Sequence, residues 1–211
     1  MTDSTESAVE RRRRTMLSRL RPAVSHLLTT HSGFADLSVE KIISIAGIAR
    51  STFYAYFDDK GHLLRWLAAD AADDVVGAVE PWRCLPDDAG RDDLRSAMRV
   101  LALAYREHSA TMSALAQMAA LDGGVAESYR QFMHRGAEKI ETHVRGGYER
   151  GAIRAEIDPI RTVDWLVTML ERGLYHHLRA ADDEELARHV EVLTDIVWQT
   201  LYAGVPGRPT E

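Results

Sequence analysis

Apolar positions recur every three to four residues along most of this chain, the period of helices that each bury one face. The first stripe is Met16, Leu17, Leu20, Val24, Leu27 and Leu28, running toward a stop at Ser32 and Gly33, with Pro22 either starting the ordered helix or kinking it. Ser38 is a suitable N-cap for a short helix through Ala46 that carries Ile42 and Ile45, and Gly47 suits the bend that follows. A second short helix is expected over 50–57. Asp59 then caps a longer one whose inner stripe is Leu63, Leu64, Leu67, Ala71, Val75 and Ala78, and which Pro81 ends.

The stretch 81–90 holds two prolines, two aspartates and a glycine and reads as the main loop. Helical periodicity resumes over 91–107, 109–120, 124–150, 159–180 and 183–203. Asp158 followed by Pro159 is a cap with proline at the first helical position, where its missing N–H costs nothing. Alternating β-branched runs bounded by turns are absent. The expectation is an all-α chain of about nine helices in two parts, 1–80 and 81–211.

With 45% hydrophobic and 27% charged residues the chain can bury a core and is not a disordered one. The single cysteine, Cys84, excludes an intramolecular disulfide and leaves a thiolate zinc site unsupported. No apolar run reaches 18 residues, and the charged block at 10–14 stands where a signal peptide needs an apolar stretch. A cytoplasmic protein without a membrane span is therefore expected. The net charge of −6 hides an asymmetry: residues 11–65 carry ten basic side chains against four acidic ones, so that segment is +6 and the remainder −12. A basic segment on an acidic body suggests that one end meets a polyanion.

The segment 37–64, LSVEKIISIAGIARSTFYAYFDDKGHLL, is the informative one. Two short helices joined by a glycine-containing turn, between an earlier helix and a longer later one, form the layout of a helix-turn-helix unit. Phe53 and Phe57, four residues apart, would pack inward against Ile42 and Ile45. Ser51 and Ala55 on the opposite face are small enough for the backbone to approach base edges, and Arg50 is long enough to reach a guanine. Thr52, Tyr54 and Tyr56 on the flanks carry hydroxyls for phosphate oxygens, and Lys60 adds a cation for the same backbone. An ordinary corner between two helices with exposed aromatics is the rival reading on geometry alone.

The run Ser38-Val39-x-x-Ile42-x-x-x-Ala46-Gly47-Ile48-x-x-x-Thr52-Phe53-Tyr54-x-Tyr56-Phe57-x-x-Lys60-x-x-Leu63 resembles the signature of TetR/AcrR-type transcriptional regulators. Two positions depart from it: Ile43 stands where alanine is usual, and Ala49 replaces the usual serine or threonine cap of the recognition helix, a role Ser51 could take if that helix starts late. Tyr148-Glu149-Arg150-Gly151-Ala152-Ile153 before Asp158-Pro159 is similar to the turn before that family's last two helices. Pieces at 166–175 and 196–202 are similar to the actinobacterial branch that includes the ethionamide-resistance regulator.

The resemblance implies a ligand-responsive repressor, a dimer that binds a pseudo-palindromic DNA operator, with no catalytic role and no cofactor. In that branch the helices behind the DNA-binding unit surround an apolar cavity. Carried over residue by residue, the resemblance puts Leu94, Leu101, Tyr105, Tyr129, Met133, Val167, Leu170, Leu174 and Trp198 on its wall. Val167 and Leu170 stand where the branch has amide side chains, which implies a more lipophilic effector oriented by Tyr105, Tyr129 and Glu171. The last two helices would pack against a second subunit. Both carry more apolar positions than one inner stripe needs: Val163, Leu166, Val167, Leu170, Leu174 and Leu178, then Leu186, Val190, Leu193, Ile196, Val197 and Leu201. An adaptor that kept the helix-turn-helix but lost operator recognition is the alternative, and a helical enzyme a more distant one.

Metal and nucleophile chemistry find little support. His176 and His177 are adjacent and point about 100° apart on a helix, Glu185-x-x-x-His189 lacks the Glu-x-x-His spacing of a di-metal bundle, and no serine-hydrolase, zinc-protease or phosphate-loop motif is present. Cys84 beside Arg83 reads as a bystander thiol ahead of a redox sensor. Met98, Met112, Met118, Met133 and Met169 suit either a core or an adaptable cavity wall.

Overall fold

The computed structural model describes residues 8–30 and 33–208. Every regular element among them is helical: α1 Ala8–Thr30, α2 Val39–Ala46, α3 Arg50–Tyr54, α4 Lys60–Gly77, α5 Glu80–Arg83, α6 Arg91–Glu107, α7 Ser109–Met118, α8 Gly123–Glu149, α9 Pro159–His177 and α10 Asp183–Leu201, with a 3-10 turn at Phe34–Asp36. The described residues form two compact units, one within 8–70 with 110–129 and the other from 71–109 with 130–208. The backbone of 11–14 lies in α1, while the side chains of that arginine run lie outside the described residues.

Several helix ends follow directly from local sequence. Ser38 Oγ accepts from the Lys41 N–H at 3.2 Å and starts α2, and Gly47 ends it in the left-handed region at φ 63°. There the Ile48 N–H reaches back to the Ile43 carbonyl at 3.1 Å, closing the last turn. Asp59 accepts from His62 N–H at 2.6 Å, and Asp158 from Arg161 N–H at 3.1 Å with Pro159 beginning the helix. Pro22 lies inside α1 rather than at its start.

Three expectations are corrected. The helix after Asp59 ends at Gly77, and Pro81, instead of terminating it, sits in the first turn of α5, where it needs no N–H. That turn buries Trp82 completely, in a stretch that read as loop. The second short helix stops at Tyr54 instead of running to 57; the Tyr56 N–H turns back three residues to the Phe53 carbonyl at 3.0 Å and tightens the chain out of the α pattern. Ile45, expected inside with Ile42, is 45% exposed; the short α2 turns Ile42 fully inward and leaves Ile45 on the solvent side.

In the first unit α1 packs on α2 and α2 on α3 around Leu20, Leu27, Phe34, Ile42, Phe53 and Phe57, all essentially without solvent contact. Asp122 caps α8 through Val125 N–H at 2.9 Å and lies 3.6 Å from Arg65 of α4. A Cβ at Gly61 would lie 2.5 Å from the same carboxylate, so a larger residue there would force Asp122 to shift.

In the second unit α6 packs along α10, with Arg91 paired to both Glu191 and Asp195. Its core contains a closed polar relay. Trp82 Nε1–H donates to the Tyr202 hydroxyl at 2.8 Å; that hydroxyl donates to His143 Nε2 at 2.7 Å; His143 Nδ1–H donates to the Arg83 carbonyl at 3.0 Å. One tautomer satisfies all three bonds. Burial holds the His143 pKa below its ordinary value and pushes that of Tyr202 upward, keeping both neutral. Arg208 closes the end of the unit, donating to the Ala152 and Ala89 carbonyls while its guanidinium lies 4.3 Å from the Tyr202 ring centroid.

A candidate nucleic-acid interface and an apolar cavity

The first candidate site belongs to the first unit. Ala49 is extended, at φ −74° and ψ 150°, and offers no side-chain cap, so α3 starts at Arg50 and Ser51 does not take over the cap. Phe53 faces the core, 5.4 Å from Phe57 between ring centroids. Arg50, Ser51, Tyr54 and Ala55 are exposed; Thr52 and Tyr56 are half-buried. Small and hydroxyl-bearing residues thus share the outer surface of a helix whose inner side is aromatic, an arrangement that can approach a groove.

Three of the expected contact residues, Arg50, Lys60 and Ser38, have partners within the unit. Arg50 is ion-paired with Glu40 and lies 5.3 Å from the Tyr54 ring centroid, so reading a base requires it to leave the carboxylate. A backbone N–H at Glu40 itself, then Arg50, hold that carboxyl below its ordinary range. Lys60 turns its ammonium to the carbonyls of Phe34 at 3.4 Å, Ala35, and Leu37 at 2.9 Å. It ties the turn ahead of α2 to the start of α4 and faces the Phe34 ring at 5.9 Å. Ser38 Oγ likewise serves as the cap of α2.

This placement changes the effect expected of Lys60. Lys60→Ala removes donors from three carbonyls and should lower stability by about 1 to 3 kcal/mol, as expected for lost charge-assisted hydrogen bonds. Tyr54→Phe removes only an exposed hydroxyl and should leave the melting temperature unchanged. Thermal denaturation of the two variants side by side tests this; equal melting temperatures would restore Lys60 to a purely external role.

The second candidate site is a small apolar cavity of about 50 Å³, open to solvent, in the second unit. Leu101, Tyr105, Met133, Val167, Leu170, Glu171 and Leu174, seven of the expected positions, line it, joined by Val75, Val76, Val79, Phe132, Gly136 and Ile140. Sequence reading missed these last six, although Val75 already stood in the inner stripe of α4. Leu94 and Trp198 are buried but are not on this wall, and Tyr129 falls in the first unit, half-buried. Met98, Met112 and Met118 are core residues, whereas Met133 and Met169 line hollows.

The outer faces of α9 and α10 form a third feature. Most of the surplus apolar positions read from the sequence are spent inside the chain: Val163, Leu166, Leu170, Leu174, Leu178, Leu186, Val190, Val197 and Leu201 are all buried. Of those positions Ile196 is exposed, and beside it stand exposed apolar residues outside the stripes, Ile160, Trp165 at 77% exposure and Val192. One surface hollow contains Trp165 and another Val192, and the two share Met169 and Ile196, so the apolar surface is continuous. Among the described residues no helix is long and apolar enough to cross a membrane, and no group of three His, Cys, Asp or Glu side chains could hold a metal ion.

Comparison with known proteins agrees with this arrangement. Residues 26–67 match the model of bacterial regulatory proteins of the tetR family, and residues 86–193 match that of the tetracyclin repressor-like C-terminal domain. The chain is 28% identical to the HTH-type transcriptional regulator EthR of Mycobacterium tuberculosis over 142 residues, which are 67% of this chain and 66%, just under two thirds, of that relative. The fold is similar to that of PfmR from Thermus thermophilus, with a TM-score of 0.70 at 19% identity over 86% of this chain and 97% of the other. It is also similar to FadR from Bacillus subtilis in complex with stearoyl-CoA, with a TM-score of 0.66 at 14% identity over 90% and 98%.

Proposed function

Because the chain belongs to the TetR family of bacterial regulatory proteins, we propose that it is a cytoplasmic, ligand-responsive transcriptional repressor that binds a pseudo-palindromic operator as a homodimer and is released by a lipophilic small molecule. The DNA-binding function is assigned to 1–80, and effector binding with dimerisation to 81–211. Arg50 supplies base preference once it leaves Glu40. Ser51 and Ala55 let the backbone approach, and the hydroxyls of Thr52, Tyr54 and Tyr56 meet phosphates, over a scaffold set by Ser38 and Lys60. No catalysis is assigned.

The observation that carries this reading is one chain combining a helix-turn-helix whose outer surface is small and polar with a separate unit that holds an apolar cavity. A cavity walled by side chains from several helices favours an apolar body with one oriented polar group. A ligand there releases DNA only through its preference for the conformation that binds DNA less well, and the shift cannot exceed that difference in affinity. Kinship with EthR, an HTH-type transcriptional regulator, supports the regulatory reading, and the similarly folded FadR, in complex with stearoyl-CoA, supports a ligand-binding one by analogy.

Leu170→Trp tests the site. Leu170 is buried on the cavity wall, and an indole there fills the space. Apolar compounds that raise the melting temperature and release DNA from the natural chain should do neither with the variant, which should still bind DNA. Compounds that act equally on both would place the effector elsewhere.

A further inference from the structure

Glu171 is the anomaly in the cavity. Its side chain is only 7% exposed, on a wall otherwise made of apolar side chains and Tyr105. The carboxylate is mostly covered, but its oxygens still meet the solvent of the open cavity, since the fully buried side-chain polar atom without a partner among the described residues is Ser113 Oγ. A mostly covered carboxylate is best served by an opposite charge or by hydrogen bonds. Among the described residues the only cation within ion-pair distance is Arg172, with Nε 3.7 Å from Oε2, too long for a hydrogen bond.

Arg172 is also poorly placed to serve the carboxylate better. Neighbouring residues on a helix point about 100° apart. Arg172 is accordingly 57% exposed, with its guanidinium 5.6 Å from the Tyr175 ring centroid, while Glu171 faces inward. The buried carboxylate therefore keeps acceptor capacity that no described residue fills. The same wall is open at Gly136, where a built Cβ meets nothing within 4 Å.

We infer that the effector is a lipophilic cation, an apolar body carrying one ammonium or amidinium group, and that Glu171 is the residue that selects it. This rests on the cavity being the effector site. The cation supplies the missing opposite charge, and its N–H groups meet the open carboxylate oxygens. A neutral alcohol of the same shape offers one weaker donor. A carboxylic acid sets a second negative charge against the first in an apolar enclosure, so anionic amphiphiles are rejected.

Three probes with one skeleton separate these possibilities: 4-phenylbutylamine, 4-phenylbutan-1-ol and 4-phenylbutanoate, each titrated calorimetrically into the full-length chain at neutral pH. The amine should bind at least about tenfold more tightly than the alcohol, the increment of a charge-assisted hydrogen bond, with the acid weakest. Glu171→Gln should bring amine and alcohol to within about threefold of each other by weakening the amine alone, while Leu170→Trp should abolish binding of all three. Equal binding of amine and alcohol to the natural chain, or tighter binding of the acid, overturns the inference and leaves the cavity reading standing. If none of the three binds, or if all bind Leu170→Trp undiminished, the cavity reading falls and takes the inference with it. Should Glu171→Gln fail to melt cooperatively, the ranking of the three probes on the natural chain decides the matter alone.

Discussion

Trp165→Glu is expected to convert the protein to a monomer and to lower its affinity for an operator by at least about a hundredfold. Trp165 is the largest exposed apolar side chain among the described residues, and it shares a continuous apolar surface with Val192 and Ile196. Such a residue at the centre of an isologous interface contacts its symmetry partner's surface, so one substitution acts twice. Replacing the indole with a carboxylate removes apolar area and sets an unpaired charge in each half. A dimer engages two half-sites with one helix-turn-helix each, about 34 to 36 Å apart on one face of the duplex. Losing the second attachment forfeits the gain from linked binding, on the order of 10² to 10⁴. Light scattering with operator titration checks both parts; a dimeric Trp165→Glu protein of undiminished affinity would move the interface away from this face.

Tyr202→Phe should destabilise the second unit by roughly 2 to 5 kcal/mol, because it strands two buried groups and each costs about 1 to 3. Trp82 Nε1–H loses its acceptor and His143 Nε2 its donor, while the ring against Arg208 is retained, so the loss isolates the hydroxyl. For a chain of this size that corresponds to a melting temperature lower by about 5 to 15 °C. The same relay sets a pH dependence. The folded state holds His143 neutral, with its pKa below the ordinary value, so the unfolded chain takes up the proton first as pH falls. Its contribution to stability is complete above about pH 6.5 and is lost as pH drops below that toward the folded pKa. His143→Gln should flatten this part of the acid limb; an unchanged limb would show that other groups set it.

Local chemistry made much of the fold legible. Ser38, Gly47, Asp59 and Asp158 act where the sequence put them, because caps and left-handed turns depend on a few neighbouring residues. Pro81 misled because proline serves either a helix stop or a helix start, and Trp82 was lost in that ambiguity since its burial comes from Tyr202 and His143, far away in sequence. The candidate site was legible to the level of residues but not of partners. Phe53 and Phe57 point inward as the four-residue spacing requires, whereas the pairing of Arg50 with Glu40 and the capture of Lys60 by three carbonyls depend on long side chains whose rotamers no spacing reveals. On α9 and α10 the sequence shows an excess of apolar residues without saying which are surplus, and the outward ones include Ile160, Trp165 and Val192, which the stripes did not contain. Glu171 was visible as a polar group on a cavity wall; its isolation there was not.

The most direct measurement is selection of bound duplexes from random DNA by the full-length chain and by Arg50→Ala, at several salt concentrations. The account predicts an enriched inverted repeat whose half-sites are related by a two-fold axis, affinity that falls with rising salt, and an Arg50→Ala pool with relaxed preference at one position of each half-site. No enrichment, with weak and sequence-independent retention, would contradict it and indicate an adaptor in place of an operator-binding regulator.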